Sequence, residues 1–173
     1  ITQTPSLGRR SPWYQDIADL LEAEAVLLDR RQYDQWLELL APDLVYRCAA
    51  LLTVSSHAGA GYTDRTFHLD ETLASLKLRI ERLATGSAWA EDPPSRVRRF
   101  VTSIQVAPRT PDELEVSSNL LLTRLRLDWA HPHIVTCERR DVWRQSEGTW
   151  LLRTRDILLD QTSLATDNLS FFL

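Results

Sequence analysis

The chain has 173 residues, 43% of them hydrophobic, and carries a formal net charge of −4 from 20 basic and 24 acidic side chains. This length and apolar content suffice for one domain, so we expect residues 1–173 to form a single domain. The basic side chains are scattered and form no tract, which argues against nucleic acid as a partner. No stretch approaches the roughly 18 apolar residues that cross a bilayer, which argues against a membrane partner.

The N-terminal half is predicted to be helical. Ser11-Pro12 combines an N-cap residue with a proline at the first helical position and predicts a helix from Trp13 to Arg30. A short second helix is expected from about Tyr33 to Leu40, because Pro42 stops it. The continuous apolar run 44–54 predicts a buried strand, and a loop is expected over 55–69.

Asp70 is expected to cap a third helix, which Gly86 ends and whose apolar residues repeat at spacings of 3 and 4: Leu73, Leu76, Ile80 and Leu83. After Pro94 the apolar period changes to two. This predicts a strand with one face formed by Phe100, Thr102, Ile104 and Val106. The remainder of the chain is typical of long antiparallel strands separated by turns at 108–113, 128–133 and 146–149.

The apolar residues of the second of these long strands change face. Leu114, Val116, Leu120 and Leu122 share one parity, whereas Leu125, Leu127 and Trp129 take the other, which predicts a β-bulge near Thr123. Long, bulged strands after a helical half are typical of an α+β domain. We expect a strongly curved antiparallel sheet that wraps around the N-terminal helices.

Two acidic residues fall on predicted apolar faces. Glu24 interrupts the apolar stripe of the first helix, and Asp156 shares the parity of Trp150 and Leu152 on the last strand. A buried acid must find a partner or bind a proton. One hypothesis makes either residue a general acid or base. The other pairs each acid with an interior arginine, for which the chain offers Arg98, Arg99, Arg139 and Arg153.

Other catalytic and metal signatures are weak. Four histidines could in principle bind a metal, but they lack convergent spacing with other ligands: His57, His68, His131 and His133. The two cysteines, Cys48 and Cys137, have no C-x-x-C spacing and no histidine two or three residues away, which argues against a Rieske cluster. Such cysteines are typical of reduced thiols, so a cytoplasmic protein is expected.

The junction "AWAEDPPSRVRRFVTSIQV" (88–106) places Trp89 and a proline pair beside an arginine cluster. Rigid, aromatic and guanidinium-rich sequence of this kind is typical of interface anchors. The final stretch, Leu169-Ser170-Phe171-Phe172-Leu173, would be an exposed apolar patch on a monomer. We therefore expect it to pack onto the sheet or onto a neighbouring subunit.

The longer stretch "RLATGSAWAEDPPSRVRRFVTSIQV" (82–106) resembles the central motif of the small (β) subunits of aromatic-ring-hydroxylating dioxygenases. Residues 24–46, 66–83 and 150–173 resemble that family's first helix and turn, second helical block, and C-terminal strand and tail. The resemblance implies a cone-shaped fold like that of nuclear transport factor 2. It also implies a non-catalytic subunit that supports the assembly and stability of an α subunit, which performs NADH-dependent dihydroxylation of an aromatic compound.

The resemblance further implies an α3β3 hexamer with β–β contacts. The partner α subunit would hold the Rieske [2Fe–2S] cluster and the mononuclear Fe(II), and this chain would hold no catalytic, cofactor-binding or metal-binding residue. Ten residues are expected to be structural or interfacial: Trp89, Asp92, Pro93, Pro94, Arg96, Arg98, Asp160, Gln161, Phe171 and Phe172.

Two alternatives rest on fold analogy. One is a stand-alone isomerase or dehydratase that uses Glu24, His68 or Asp156. The other is a homo-oligomeric binder that holds a small ligand inside the cone.

Overall fold

The computed structural model describes residues 6–51, 62–84, 94–126, 131–161 and 171–173. Within these ranges the chain forms three helices and six strands in the order α1 (Pro12–Asp29), α2 (Tyr33–Leu37), β1 (Leu40–Leu51), β2 (Tyr62–Glu71), α3 (Leu73–Ala84), β3 (Arg96–Thr110), β4 (Glu113–Leu125), β5 (His133–Ser146) and β6 (Thr149–Leu159). The helices of the described ranges include none that is long and apolar enough to span a bilayer.

The strands form one curved open sheet in the order β2-β1-β6-β5-β4-β3. Neighbouring strands are antiparallel, except that β1 runs parallel to β6. The α+β class with N-terminal helices against a curved sheet is therefore confirmed, with one parallel pair that the sequence did not indicate.

The first helix begins and ends within one residue of its predicted bounds. Pro12 occupies the first helical position and Ser11 the N-cap, although the hydroxyl of Ser11 makes no capping hydrogen bond. The buried face of α1 is formed by Ile17, Leu21, Glu24, Ala25 and Leu28. This face packs against β3.

The second helix is shorter than predicted. It ends at Leu37, and β1 already begins at Leu40, four residues before the predicted strand. The reason is pairing with β6, because Leu40 lies opposite Leu152 and the carbonyl oxygen of Leu39 accepts a hydrogen bond from Leu152 N at 2.8 Å.

Part of the predicted loop is a strand. Residues 62–69 belong to β2, whose polar sequence is tolerated at the edge of the sheet. Asp70 also lies in β2, where it pairs with Arg47 at 3.0 Å, so it does not cap α3. Thr72 takes that role. Its Oγ1 accepts a hydrogen bond from Ser75 N at 3.3 Å, and Ser75 Oγ accepts one from Thr72 N at 2.8 Å.

The bulge predicted near Thr123 of β4 is wrong. Strand β4 alternates regularly, with Leu120, Leu122 and Arg124 all buried. The irregularity lies in β3 instead, where the register with β4 shifts between Thr102 and Gln105 and Ser103 adopts a positive φ of 55°. For this reason Phe100 is exposed although Val106 is buried, and the single apolar face predicted for β3 is also wrong.

A second bulge inverts the faces of β6. Val142 lies opposite Thr154 and Trp143 lies opposite Leu152, which leaves Arg153 as an extra residue. Arg155 therefore points into the core, where parity had placed Asp156, and Asp156 is only half-buried. The predicted turn at 146–149 is confirmed. Its central residues, Glu147 and Gly148, have φ values of 50° and 83°, as in a type I′ hairpin turn.

The core lies between the inner face of the sheet and the helices. The parity predicted for β4 is confirmed, since Leu114, Val116, Leu120 and Leu122 are all buried. Among the described residues, the charged side chains that are at most 2% exposed are Glu24, Arg139, Asp141 and Arg155. These four residues, named the ion network below, are the centre of the candidate site.

Candidate functional site

Glu24 lies on the inner face of α1 and is 1% exposed. Its Oε1 atom accepts hydrogen bonds from Trp36 Nε1 at 3.1 Å and from Arg155 Nη1 at 2.7 Å. Its Oε2 atom accepts hydrogen bonds from Arg155 Nη2 at 3.0 Å and from Arg139 Nη1 at 3.3 Å. Both carboxylate oxygens are therefore satisfied, and the hypothesis that this acid pairs with interior arginines is confirmed.

Arg155 joins Glu24 to Asp141. Its Nε atom donates to Asp141 Oδ1 at 2.9 Å, and its Nη2 atom donates to Asp141 Oδ2 at 2.7 Å. Arg139 also bonds Ser118, with 3.2 Å between Nε and Oγ. The two acids and two arginines make the ion network electrically neutral, which is how an interior of low polarity accommodates charged groups.

Glu24 is ionised and Tyr46 is neutral at neutral pH. Burial alone would raise the pKa of Glu24, but the charges of Arg155 and Arg139, with hydrogen bonds from Arg155 and Trp36, lower it to about 2. Burial raises the pKa of the adjacent Tyr46 to about 12. A general acid or base needs a pKa near the working pH, so the geometry and protonation of Glu24 are those of a structural ion pair.

The C-terminal residues fill the space next to the ion network. Phe171, Phe172 and Leu173 are at most 4% exposed, so the expected packing of this segment is against the sheet of the same chain. The hydroxyl of Tyr46 donates to the main-chain oxygen of Leu173 at 2.5 Å and accepts a hydrogen bond from Leu173 N at 2.8 Å. Arg155 Nη1 donates to the same oxygen at 3.2 Å, which ties the segment to the ion network.

The start of β3 forms a polar corner against α1. Arg99 Nη1 lies 2.6 Å from Asp29 Oδ1. Ser95 accepts hydrogen bonds from two arginines, with its carbonyl oxygen from Arg31 Nη2 at 2.6 Å and with its Oγ from Arg124 Nε at 2.9 Å. These residues line a cavity of about 20 Å³, which has room for about one water molecule.

The structure places the predicted interface residues in three regions. Pro94, Arg96 and Arg98 are exposed at the polar corner, whereas Trp89, Asp92 and Pro93 lie outside the described residues. Asp160 and Gln161 follow β6, and both donate hydrogen bonds to main-chain oxygens of β5. Asp160 N donates to Thr136 O at 3.1 Å, and Gln161 Nε2 donates to Ile134 O at 2.9 Å. Phe171 and Phe172 lie in the core.

The residues of the isomerase or dehydratase alternative do not converge. Glu24 on α1 is buried at the inner face of the sheet, Asp156 is half-buried on the outer face, and His68 is exposed on β2. Burial raises the pKa of Asp156, against the lowering effect of Arg47. In the described ranges no His, Cys, Asp and Glu side chains form a group of three that could hold a metal ion, and His57 lies outside those ranges.

Sequence reasoning missed Arg155, Asp141, Tyr46 and Trp36 as parts of this site. Asp141 could have been found, because it alternates with the buried Cys137, Arg139 and Trp143 on β5. Arg155 could not, because regular alternation from Trp150 and Leu152 places it on the outer face, and only the bulge at Arg153 turns it into the core.

The chain matches the family model described as "Ring hydroxylating beta subunit" over residues 23–166. It is 35% identical to 3-phenylpropionate/cinnamic acid dioxygenase subunit beta of Photorhabdus laumondii, over 90% of this chain and 88% of that protein. It is 36% identical to N,N-dimethyl phenylurea N-demethylase subunit beta of a Sphingobium species, over 88% of this chain and 87% of that protein.

The fold agrees with these matches. A chain in a structure of naphthalene 1,2-dioxygenase with indole bound in its active site superposes with a TM-score of 0.81 at 28% identity, covering 92% of this chain and 84% of that one. The cone-shaped fold expected from the resemblance, like that of nuclear transport factor 2, is therefore confirmed. The family match covers well over half of the sequence. The chain belongs to the family of ring-hydroxylating dioxygenase β subunits.

Proposed function

We propose that this chain is a non-catalytic β subunit that supports the assembly and stability of an α subunit. The α subunit would carry out NADH-dependent dihydroxylation of an aromatic compound in aromatic hydrocarbon catabolism. The observation that carries this proposal is the filled interior of the sheet. In the described part of the chain, paired charges and residues 171–173 occupy the inner side of the sheet, where an enzyme of this fold would need space for a substrate, and the cavity at the polar corner has room for only about one water.

The cysteines of this chain support the proposal that the iron–sulfur cluster and the mononuclear iron belong to the partner subunit. Cys48 and Cys137 are free and buried, and burial raises the pKa of each thiol to about 12. A Rieske cluster needs histidine ligands beside its thiolates, and within the described residues neither thiol belongs to a group of three potential metal ligands. We therefore propose that the Rieske [2Fe–2S] cluster and the mononuclear Fe(II) belong to the α subunit. The two free thiols also support a reducing compartment such as the cytoplasm.

The outer face of the sheet offers a surface for a partner subunit. Phe100 on β3 lies directly opposite Leu121 on β4, and Ile134 on β5 lies one diagonal position further. These side chains are 57%, 37% and 50% exposed, and Arg98 is exposed beside them. An apolar row flanked by an arginine is typical of a protein interface, which supports the proposed α3β3 assembly with contacts among β subunits.

The non-catalytic role is tested in the complex that forms when this chain is co-expressed with its proposed α subunit partner. We expect His68→Ala and Asp156→Asn to leave ring oxidation per iron unchanged within twofold, because neither residue would contact substrate. A tenfold loss of activity per iron in a complex of normal size and iron content would contradict the proposal.

The interface is tested with variants on the outer face. We expect Phe100→Ser and Arg98→Ala to weaken assembly, measured by sedimentation, without changing activity per iron in the complexes that form. Lys77→Ala, at an exposed position on α3, is the matched control. Normal assembly of both outer-face variants would refute the proposed contact.

A further inference from the structure

The ring of Phe172 lies in a slot formed by other parts of the chain, and its side chain is almost completely buried. The ring of Trp36 on α2 packs against it at 4.7 Å between centroids with a tilt of 35°, and Tyr33 meets it edge-on at 5.7 Å. The guanidinium of Arg79 on α3 lies 5.5 Å from the ring centroid. Trp36, Tyr33 and Arg79 are called the aromatic slot below.

These contacts favour an aromatic ring over a saturated apolar group of the same size. Tilted and edge-to-face ring pairs use the quadrupole of an aromatic ring, and a guanidinium is attracted to the same electron-rich face. A saturated ring of equal size would bury a similar area but would lose these electrostatic contributions. The chemistry of the aromatic slot therefore fits a monocyclic aromatic ring.

The backbone of Phe172 is held independently of its ring. Its main-chain oxygen accepts hydrogen bonds from Arg99 Nε at 3.2 Å and from Arg99 Nη2 at 2.7 Å. Asp29 orients that guanidinium at 2.6 Å, and Leu173 is bonded in turn to Tyr46. Removal of the ring would thus leave the main chain fixed on both sides, so the surrounding structure would have little freedom to collapse into the vacated space.

We propose that the aromatic slot is a binding site for a monocyclic aromatic ring and that Phe172 fills it as a built-in ligand. The adjacent cavity of about 20 Å³ is far smaller than the roughly 150 Å³ that holds a benzene molecule in a protein core. A free ring can therefore enter only when the ring of Phe172 is absent.

The test uses the full-length variant Phe172→Ala with benzene as the probe. We expect saturable, one-to-one binding that raises the melting temperature and yields a Kd about tenfold lower for benzene than for cyclohexane. Phe100→Ala is the matched control, because it removes the same side chain from an exposed position. The wild-type chain and this control should show neither binding nor a benzene-dependent shift.

Three results would overturn the proposal: no stabilisation of Phe172→Ala by benzene, equal affinity for benzene and cyclohexane, or equal binding by the wild-type chain. Should Phe172→Ala unfold by itself, benzene present during refolding is expected to restore its native circular dichroism. Failure of that rescue would also overturn it.

Discussion

Replacement of Glu24 by glutamine tests the ion network directly. The amide keeps the size of the side chain but removes the negative charge, which leaves Arg139 and Arg155 buried with only Asp141 as a counter-charge. Removing one partner of a buried ion pair typically costs about 3–5 kcal/mol. We therefore expect the free energy of unfolding to fall by about 3 kcal/mol or more at pH 7.

The pKa of Glu24 provides a second route to the same magnitude. Its fall from the ordinary value of 4.5 to about 2 corresponds to about 3 kcal/mol, at roughly 1.4 kcal/mol per pKa unit. Because the folded pKa is the lower one, this stabilisation is complete above about pH 5 and is lost as the pH falls towards 2. The stability difference between the wild-type protein and Glu24→Gln should therefore shrink in acid.

Urea unfolding followed by tryptophan fluorescence, repeated between pH 7 and pH 3, measures both effects. Glu22→Gln is the matched control, since Glu22 is exposed on the same helix. We expect the control to change stability by no more than about 0.5 kcal/mol. If Glu24→Gln were as stable as Glu22→Gln at pH 7, or if its deficit did not depend on pH, the reasoning about the ion network would be refuted.

Two further predictions concern the residues around the network. Tyr46→Phe should lower the free energy of unfolding by about 1–3 kcal/mol in the same urea assay. The reason is that the variant loses both hydrogen bonds between the Tyr46 hydroxyl and the main chain of Leu173. A loss of stability no larger than that of Tyr14→Phe would contradict this prediction. Cys48 and Cys137 should react with a thiol reagent only after the protein unfolds, because burial raises the pKa of each thiol to about 12. Rapid modification of the native protein at pH 8 would contradict this prediction.

The sequence predicted the elements with strong local signals. The Ser11-Pro12 start of α1, the apolar repeat of α3 and the alternation over residues 114–122 of β4 all describe interactions between near neighbours along the chain, and each matches the structure closely. The fold class followed from the same signals. The position of Glu24 within the apolar stripe of α1 also predicted correctly that this acid pairs with interior arginines, although Arg155 was not among the arginines considered.

The failures came from bulges and from pairing between distant segments. A single extra residue reverses every later side chain of a strand, and neither Ser103 nor Arg153 carries a local signal for such an insertion. The end of α2 was misplaced because Leu40 pairs with Leu152, more than a hundred residues away. Periodicity within one segment contains no information about such partners.

The hydrogen bonds that close the interior join residues that are far apart in the sequence. Glu24 and Arg155 are separated by 131 positions, and Tyr46 and Leu173 by 127. Contacts between residues so distant in sequence slow folding, because a long loop must close before the contact can form and stabilise the fold. During synthesis Glu24 emerges from the ribosome long before its arginines, so the native core forms only once the last strand has been released. A partner that recognises this fold therefore binds only after the residues of β6 and Leu173 have been synthesised.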